Sequence, residues 1–300
     1  MAVDKQAASA SMRTTFFDSV VKGFATAMYK FKQAVTISPT SAWKNYYWRE
    51  SPTALSSPAG NNIKGIPRGA TFPQAVVEWE RISTTIDKYG LEDNIPWEDL
   101  ISDDIDVRDR TLFRIAEGVT KAVDDEIWDV LTESQSATNI QSVNVAQSDV
   151  AGAAWNESSA AIIDDLMQGK QKIAEQNYDT GNLMLFVSTR DHRSIIKYLT
   201  DKGAQFPSLS TGVAKNGHVG NLAGVNIVMS NSVSASYALL CVPKVCGTWK
   251  ELVPLQTTTK EDPYKSLTVR SVEMGVTQLT DPKACVLMVG TQRSTGGTPV

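Results

Sequence analysis

The chain is poor in the residues that most often carry chemistry. Its 300 residues include three cysteines and two histidines. Cys241, Cys246 and Cys285 are odd in number and lack paired close spacing, which argues against a disulfide framework or a zinc site. Cys241 and Cys285 lie in the apolar runs YALLCV and ACVLMV, so the cysteines read as unlinked small hydrophobes. His192 stands beside Asp191 and Arg193, and His218 lies in a glycine-containing loop. Neither has metal-ligand spacing, and both read as solvated surface residues. No G-x-S-x-G elbow is present. NGHVGNLAG (216–224) is neither a dinucleotide fingerprint nor a phosphate loop followed by Lys-Ser/Thr. No run reaches the roughly 18–20 apolar residues of a membrane span. The start, MAVDKQAASAS, lacks the apolar core of a signal peptide. A net charge of −4 offers no general basic face. The expectation is a protein folded in a cytosol, with no catalytic residue, cofactor, metal or membrane partner.

What is present is ordinary globular composition, 42% apolar and 21% charged, in a chain long enough for one large domain or two interleaved ones. The dominant pattern runs from Asp104 to about Ser134. Leu112, Ile115, Ala116, Val119, Val123, Ile127, Val130 and Leu131 form one apolar stripe at helical period. Arg108, Arg114, Glu117, Lys121 and Asp125 lie opposite. Asp103, Asp104 and Asp106 suit the positive end of a helix dipole. Asp124, Asp125, Glu126 and Asp129 read as a solvated face. Such a helix is on the order of 40 Å long and serves as a spine for other layers.

Before it, Met12 to Gln33 carries a second stripe, Phe17, Val20, Val21, Phe24, Met28 and Phe31, with Lys22, Lys30 and Lys32 outward. It reads as an amphipathic helix docking on its own body or on a neighbouring subunit. Pro39 ends the pattern. AWKNYYWRE (42–50) and QAVVEWERIST (74–84) read as strands flanking a turn-rich segment, Ser51 to Pro73, with seven prolines or glycines. The arms carry Trp43, Tyr47, Trp48 and Trp79. A two-stranded hairpin alone is marginal in water. On a pleated strand Trp43 and Tyr47 share one face, Tyr46 and Trp48 the other. Aromatics on both faces call for a partner surface.

Residues 85–103 read as a bridge, and 135–157 as loop with short strands. Ser158 or Ser159 is expected to cap a helix reaching about Gln176, with Ile162, Ile163, Leu166 and Ile173 inward. LMLFVS (183–188) reads as a buried strand, 189–203 as a helix, and 204–221 as loop. Strands follow at 224–230, 237–243, 249–259, 265–275 and 284–290. Helices and strands do not alternate strictly, so the class is α+β.

This order resembles the major capsid proteins of tailed phages, the Hong Kong 97-like capsid fold. ATFPQAVVEWERIST (70–84) resembles the returning strand of the family's extended loop. ISDDIDVRDRTLFRIAEGVTKAVDDEIWDVL (101–131) is similar to its spine helix and lead-in. NLMLFVSTRDHRSIIKYL (182–199), GNLAGVNIVMSNSV (220–233) and LTVRSVEMGVTQLTDPKACVLMVG (267–290) resemble its axial and closing segments. The resemblance implies an N-terminal arm at 1–40 and an extended β-hairpin loop at 41–85. It implies a peripheral domain from 86–134 and 248–279, and an axial domain from 135–247 and 280–300. It implies a self-assembling shell of hexamers and pentamers around double-stranded DNA, in a virion assembled in the host cytoplasm. Portal, scaffold and decoration proteins are further implied partners, with a scaffold either a separate protein or absent. Trp43, Tyr47, Trp48, Trp79, Phe17 and Phe24 are the expected intersubunit contacts. Lys64 lies in the loop where some relatives cross-link, but no matching asparagine or helping acid is found, so no catalytic residue is carried over. The alternatives are an encapsulin-type protein compartment and, in another class, a soluble enzyme.

Overall fold

The computed structural model describes residues 18–25, 28–50, 67–69, 71, 79–98, 107–136, 138–145, 153–202 and 220–293. A short helix α1 (residues 18–25) opens the described chain. The spine is α2, Val107–Leu131, 25 residues and about 38 Å at 1.5 Å per residue. The predicted stripe is buried, apart from a half-exposed Val130, and Thr120, Asp124 and Trp128 join it. The helix stops before Ser134 because Glu133, Ser134 and Gln135 take φ of 48°, 50° and 73°. Left-handed backbone costs a non-glycine residue roughly 1–2 kcal/mol. Side-chain hydrogen bonds hold the turn. The Glu133 carboxylate accepts the Asn139 backbone N–H at 2.7 Å, and Gln135 Nε2 donates to Ser234 Oγ.

Among the described residues, twelve strands form three sheets. The first has the order β1 (Thr36–Pro39), β10 (Thr248–Asp262), β11 (Ser266–Gln278), β4 (Asp87–Pro96). The second has the order β5 (Gln141–Asn144), β12 (Cys285–Val289), β9 (Tyr237–Cys241), β6 (Leu183–Val187), β8 (Val225–Met229), β7 (Asn221–Leu222). The third is a ribbon of β2 (Lys44–Glu50) and β3 (Trp79–Thr85). Two more helices, α3 (Ile162–Glu175) and α4 (Thr189–Asp201), cover one face of the six-stranded sheet.

That sheet is buried on both faces, which is why its strands read as continuous apolar runs. Leu183, Leu185, Leu240, Val286 and Met288 point toward Ile162, Leu166 and Ile173 of α3 and Ile195 and Leu199 of α4. The alternate residues, Phe186, Leu239, Cys241, Cys285 and Leu287, meet Val123, Ile127, Trp128 and Leu131 of α2, with Phe31 and Trp249. The N-terminal half of α2 packs instead on the four-stranded sheet. There Leu112, Ile115, Ala116 and Val119 meet Val21 and Ala25 of α1, Ile95, Leu255 and Val269. Trp249 lies so close to β11 that a Cβ on Gly275 would stand 2.3 Å from its ring.

Four expectations need correction. Residues 87–96 form a ten-residue strand, not a bridge, paired antiparallel to β11 from Asp87↔Gly275 to Pro96↔Ser266. It is an edge strand with Lys88, Glu92 and Asp93 exposed, and charge on an edge blocks further pairing while erasing apolar alternation. The helix α3 starts after Ala161 with no side-chain cap, so neither Ser158 nor Ser159 caps it. Asp164 and Asp165 in the first turn meet the dipole, and Asp165 accepts the Trp155 indole N–H at 2.9 Å. His192 is buried rather than solvated, on the inner side of α4. Asp124 is buried as well, on the packed side of the spine.

Asp124 fastens the N-terminal segment to the spine. Its carboxylate accepts the backbone N–H of Lys30 at 2.8 Å and of Phe31 at 3.2 Å. These open the 3₁₀ turn Phe31–Gln33, whose own N-cap residue, Lys30, contributes no side-chain bond. Beside it, the fully buried Glu273 accepts from the Tyr29 hydroxyl and from Lys32 Nζ. Burial raises the Asp124 pKa to about 6, against the pull of the two N–H groups and Lys32.

Two outcomes are expected. Val119→Pro removes a hydrogen bond and clashes at the middle of α2, costing roughly 3 kcal/mol or more; soluble yield and melting temperature should both fall. A normal melt would mean that the rod is not one continuous helix. The second concerns pH. A carboxylate whose folded pKa lies above its unfolded value binds protons more tightly when folded, so stability falls as pH rises from about 4 to 6. Asp124→Asn should abolish that component and keep an acceptor for the N–H groups. Asp124→Ala should leave them unpaired and cost about 1–3 kcal/mol. Thermal melts from pH 4 to pH 7 check both; an unchanged slope in the Asn variant refutes the assignment.

Candidate intersubunit surface

The ribbon pairs Lys44↔Thr85 through Glu50↔Trp79 in antiparallel register. Side chains alternate across it, and burial identifies which face is covered. Asn45, Tyr47 and Arg49, with Ile82 and Thr84, are half-buried toward the body. Gln278 Nε2 donates to Thr84 Oγ1 at 3.0 Å. The Tyr47 hydroxyl meets the backbone of Leu279, and burial pushes its pKa up. Arg49 bridges ribbon and spine, with one guanidinium nitrogen 2.8 Å from Glu80 and another 3.4 Å from Glu133. The strained turn that ends α2 thus also holds the ribbon.

The other face is open. Tyr46, Trp48 and Trp79 are 52%, 58% and 56% exposed, and by register they share this face. Arg81, opposite Trp48, lies 4.1 Å over the Tyr46 ring, and Lys44 Nζ lies 5.5 Å from it. Surface apolar residues are normally scattered singly. Tyr, Trp and Arg grouped on one rigid face have the composition of an interface centre.

The expected contact residues therefore divide. Trp48 and Trp79 stand together on the open face. Trp43, also more than half exposed, sits just before β2. Tyr47 faces the body, so aromatics on the second face already have a partner within the chain. Phe24 meets Phe113 of the spine edge-on at 5.5 Å. Phe17 and the tip between Glu50 and Pro67 lie outside the described residues. Tyr46 was not among the expected contacts, because pleating alone does not say which face is covered. A second exposed pair, Trp97 and Tyr264, meets edge-on at 5.6 Å where β4 ends and β10 turns into β11. Nothing local in sequence links those two.

No group of His, Cys, Asp or Glu among the described residues could hold a metal ion. No described helix is long and apolar enough to cross a membrane. The three cysteines are free thiols gathered in the core. Cys241 and Cys285 are register partners in β9 and β12, and Cys246 donates to the Ala34 carbonyl at 3.5 Å. Hydrogen bonds to Cys246, together with burial, push the Cys241 and Cys285 thiols up and keep them protonated. His218 lies outside the described residues.

Residues 79–288, more than two thirds of the chain, match the family described as phage capsid protein. No curated protein matches the sequence. Among solved structures, the capsid of the cyanophage P-SCSP1u superposes with a TM-score of 0.64 at 14% identity, covering 87% of this chain and 88% of that one. A structure from Mycobacterium phage Che8 gives 0.63 at 12% identity, covering 88% and 92%. The virus-like particle from Pyrococcus furiosus gives 0.60 at 10% identity, covering 92% and 99%. At such identities the likeness is one of fold. The chain belongs to the phage capsid protein family, and its fold is the Hong Kong 97-like capsid fold.

Proposed function

We propose that this capsid protein is the major head subunit of a tailed phage, assembling in the host cytoplasm into hexamers and pentamers that close an icosahedral shell around double-stranded DNA. The family match across residues 79–288 carries the reading and supports a structural rather than an enzymatic role. The open aromatic face of the ribbon supports the assembly step, because Tyr46, Trp48 and Trp79 are each left more than half exposed on one face. The division into arm 1–40, loop 41–85, peripheral domain 86–134 with 248–279, and axial domain 135–247 with 280–300 is supported by the separate four-stranded, six-stranded and two-stranded sheets. Portal, scaffold and decoration proteins are the further partners that a head of this kind uses.

A second reading, an encapsulin-type compartment holding protein cargo, draws support from the likeness to the virus-like particle from Pyrococcus furiosus, which is covered over 99% of its length. Purified shells containing protein instead of DNA would favour it.

The contact hypothesis has a direct test. Trp48 and Trp79 are exposed in the subunit, so replacing both by alanine should change its stability by about 0.5 kcal/mol or less per site. Closed shells should nevertheless be lost, since truncating aromatic anchors at an interface centre costs about 2 kcal/mol or more. Replacing residues 52–72 by a short Gly-Ser turn should likewise leave a folded subunit that closes no shells. Circular dichroism and negative-stain images read the two properties separately. Normal shells from both variants would show that the ribbon is not the clamp; a truncated chain that fails to fold would place the loop in the core.

A further inference from the structure

Helix α4 carries Arg190, Arg193 and Lys197 at spacings of three and four, so the three cations share one exposed helix face. With Ser194, Asn156 and Gln292 they line a cleft of about 290 Å³. Among the described residues, no carboxylate forms an ion pair with any of the three. Two acids nearby are engaged elsewhere. Asp191 is fully buried and accepts from Gln292 Nε2 at 2.6 Å and Ser188 Oγ at 2.7 Å. Glu157 pairs with Arg293 at 2.9 Å.

This placement works against the helix. Like charges three and four residues apart repel. Cations in the first turns oppose the positive end of the dipole. An anion seated in the cleft reverses both effects. The floor beneath is fixed, because Gln292 Nε2 also reaches Ser194 Oγ at 3.3 Å and Asn156 holds the backbone of Arg293 through bonds of 3.1 and 3.2 Å. Asn156 and the Gln292 amide nitrogen are thus engaged, and the three cations are the charged groups that line the cleft.

We infer that this face of α4 binds the phosphate backbone of double-stranded DNA without reading its sequence, an assignment that rests on the reading of the chain as a DNA-enclosing shell subunit. From Arg190 to Lys197 the row is about 10 Å long at 1.5 Å per residue. Each DNA strand presents a phosphate about every 3.4 Å along the axis, so a row of this length meets several phosphates rather than a single anion. A row of cations that follows successive phosphates positions a duplex without carrying sequence information.

The test uses full-length subunits and two labelled duplexes of unrelated sequence, with fluorescence anisotropy followed between about 50 and 200 mM salt. The variant combines Arg190→Gln, Arg193→Gln and Lys197→Gln. Its control combines Lys121→Gln, Lys260→Gln and Lys265→Gln, also exposed, with melting curves confirming that both are folded. The α4 variant should lose about tenfold or more in affinity at low salt. Its log–log salt slope should flatten by about 0.9 for each phosphate contact removed. The control and the choice of duplex should change little. Equal losses in variant and control, or no loss in either, overturn the assignment. So does saturable pyrophosphate binding that the α4 variant loses while its duplex binding is intact, which would mark a free-phosphate site. Negative-stain images of the unaltered protein test the shell reading separately: shells with DNA binding indifferent to α4 defeat this inference alone, and absence of shells defeats the parent reading and this inference with it.

Discussion

The second face of the six-stranded sheet must be covered, and one helix does most of it. α3 and α4 already occupy the first face, and a sheet with an apolar second face is stable only against another layer. The C-terminal half of α2 supplies Val123, Ile127, Trp128 and Leu131, completed by Phe31, which stacks on Phe186 at 4.3 Å and meets Trp128 edge-on at 5.6 Å. The same helix, one stripe further toward its N-terminus, buries the four-stranded sheet. The two sheets are therefore joined through a rod rather than through a linker. Asp124 lies near the middle of that rod and fixes Lys30 and Phe31, so the segment that delivers Phe31 is tied to the helix it helps to cover.

Rigidity there sets what the ribbon can do. Arg49 reaches the carboxylate of Glu133 in the turn that ends α2, and Thr84 is tied to Gln278 in β11. The base of the ribbon is thus aimed by both the spine and the four-stranded sheet, while its outer face stays free. A two-stranded ribbon with three large aromatics on one face is an aggregation hazard by itself. Arg81 and Lys44 over Tyr46 put charge among the rings, at about 0.5–1 kcal/mol per exposed cation–π contact. That arrangement keeps the face wettable before assembly and leaves it able to bury later.

Much of this was legible in the sequence wherever burial imposes a period. The stripe of α2, the inner positions of α3, the start of α4 at Thr189 and the runs that become β6, β9 and β12 all follow from it. The edge strands were not, since β4 and β1 bury little and Pro39 and the charges of β4 hide their pairing. Asp124 and His192 look solvated because a polar residue in a chain carries no mark of a partner; Asp124 finds its own 93 and 94 residues away. The end of the spine was misplaced because the turn uses Glu133, Ser134 and Gln135 at positive φ without a glycine to announce it. On the ribbon, alternation gave the two faces correctly, but only the packing of Tyr47 against the backbone of Leu279 shows which face is spent.

The energetics of the open face argue for a closed assembly over a simple pair. Fully burying one large apolar side chain contributes about 1.5–3 kcal/mol, so Tyr46, Trp48 and Trp79 together supply roughly 5–9 kcal/mol at most. Bringing two free bodies together costs an estimated 4–15 kcal/mol. One ribbon contact is therefore marginal. In a ring each subunit makes a donor contact and an acceptor contact, and the last contact forms within an already assembled body at high effective concentration. On the proposed reading, a surface that is marginal between two copies suffices in a closed ring. The weakness of the single contact is also useful, since a misplaced subunit held by one ribbon dissociates before the shell grows around it.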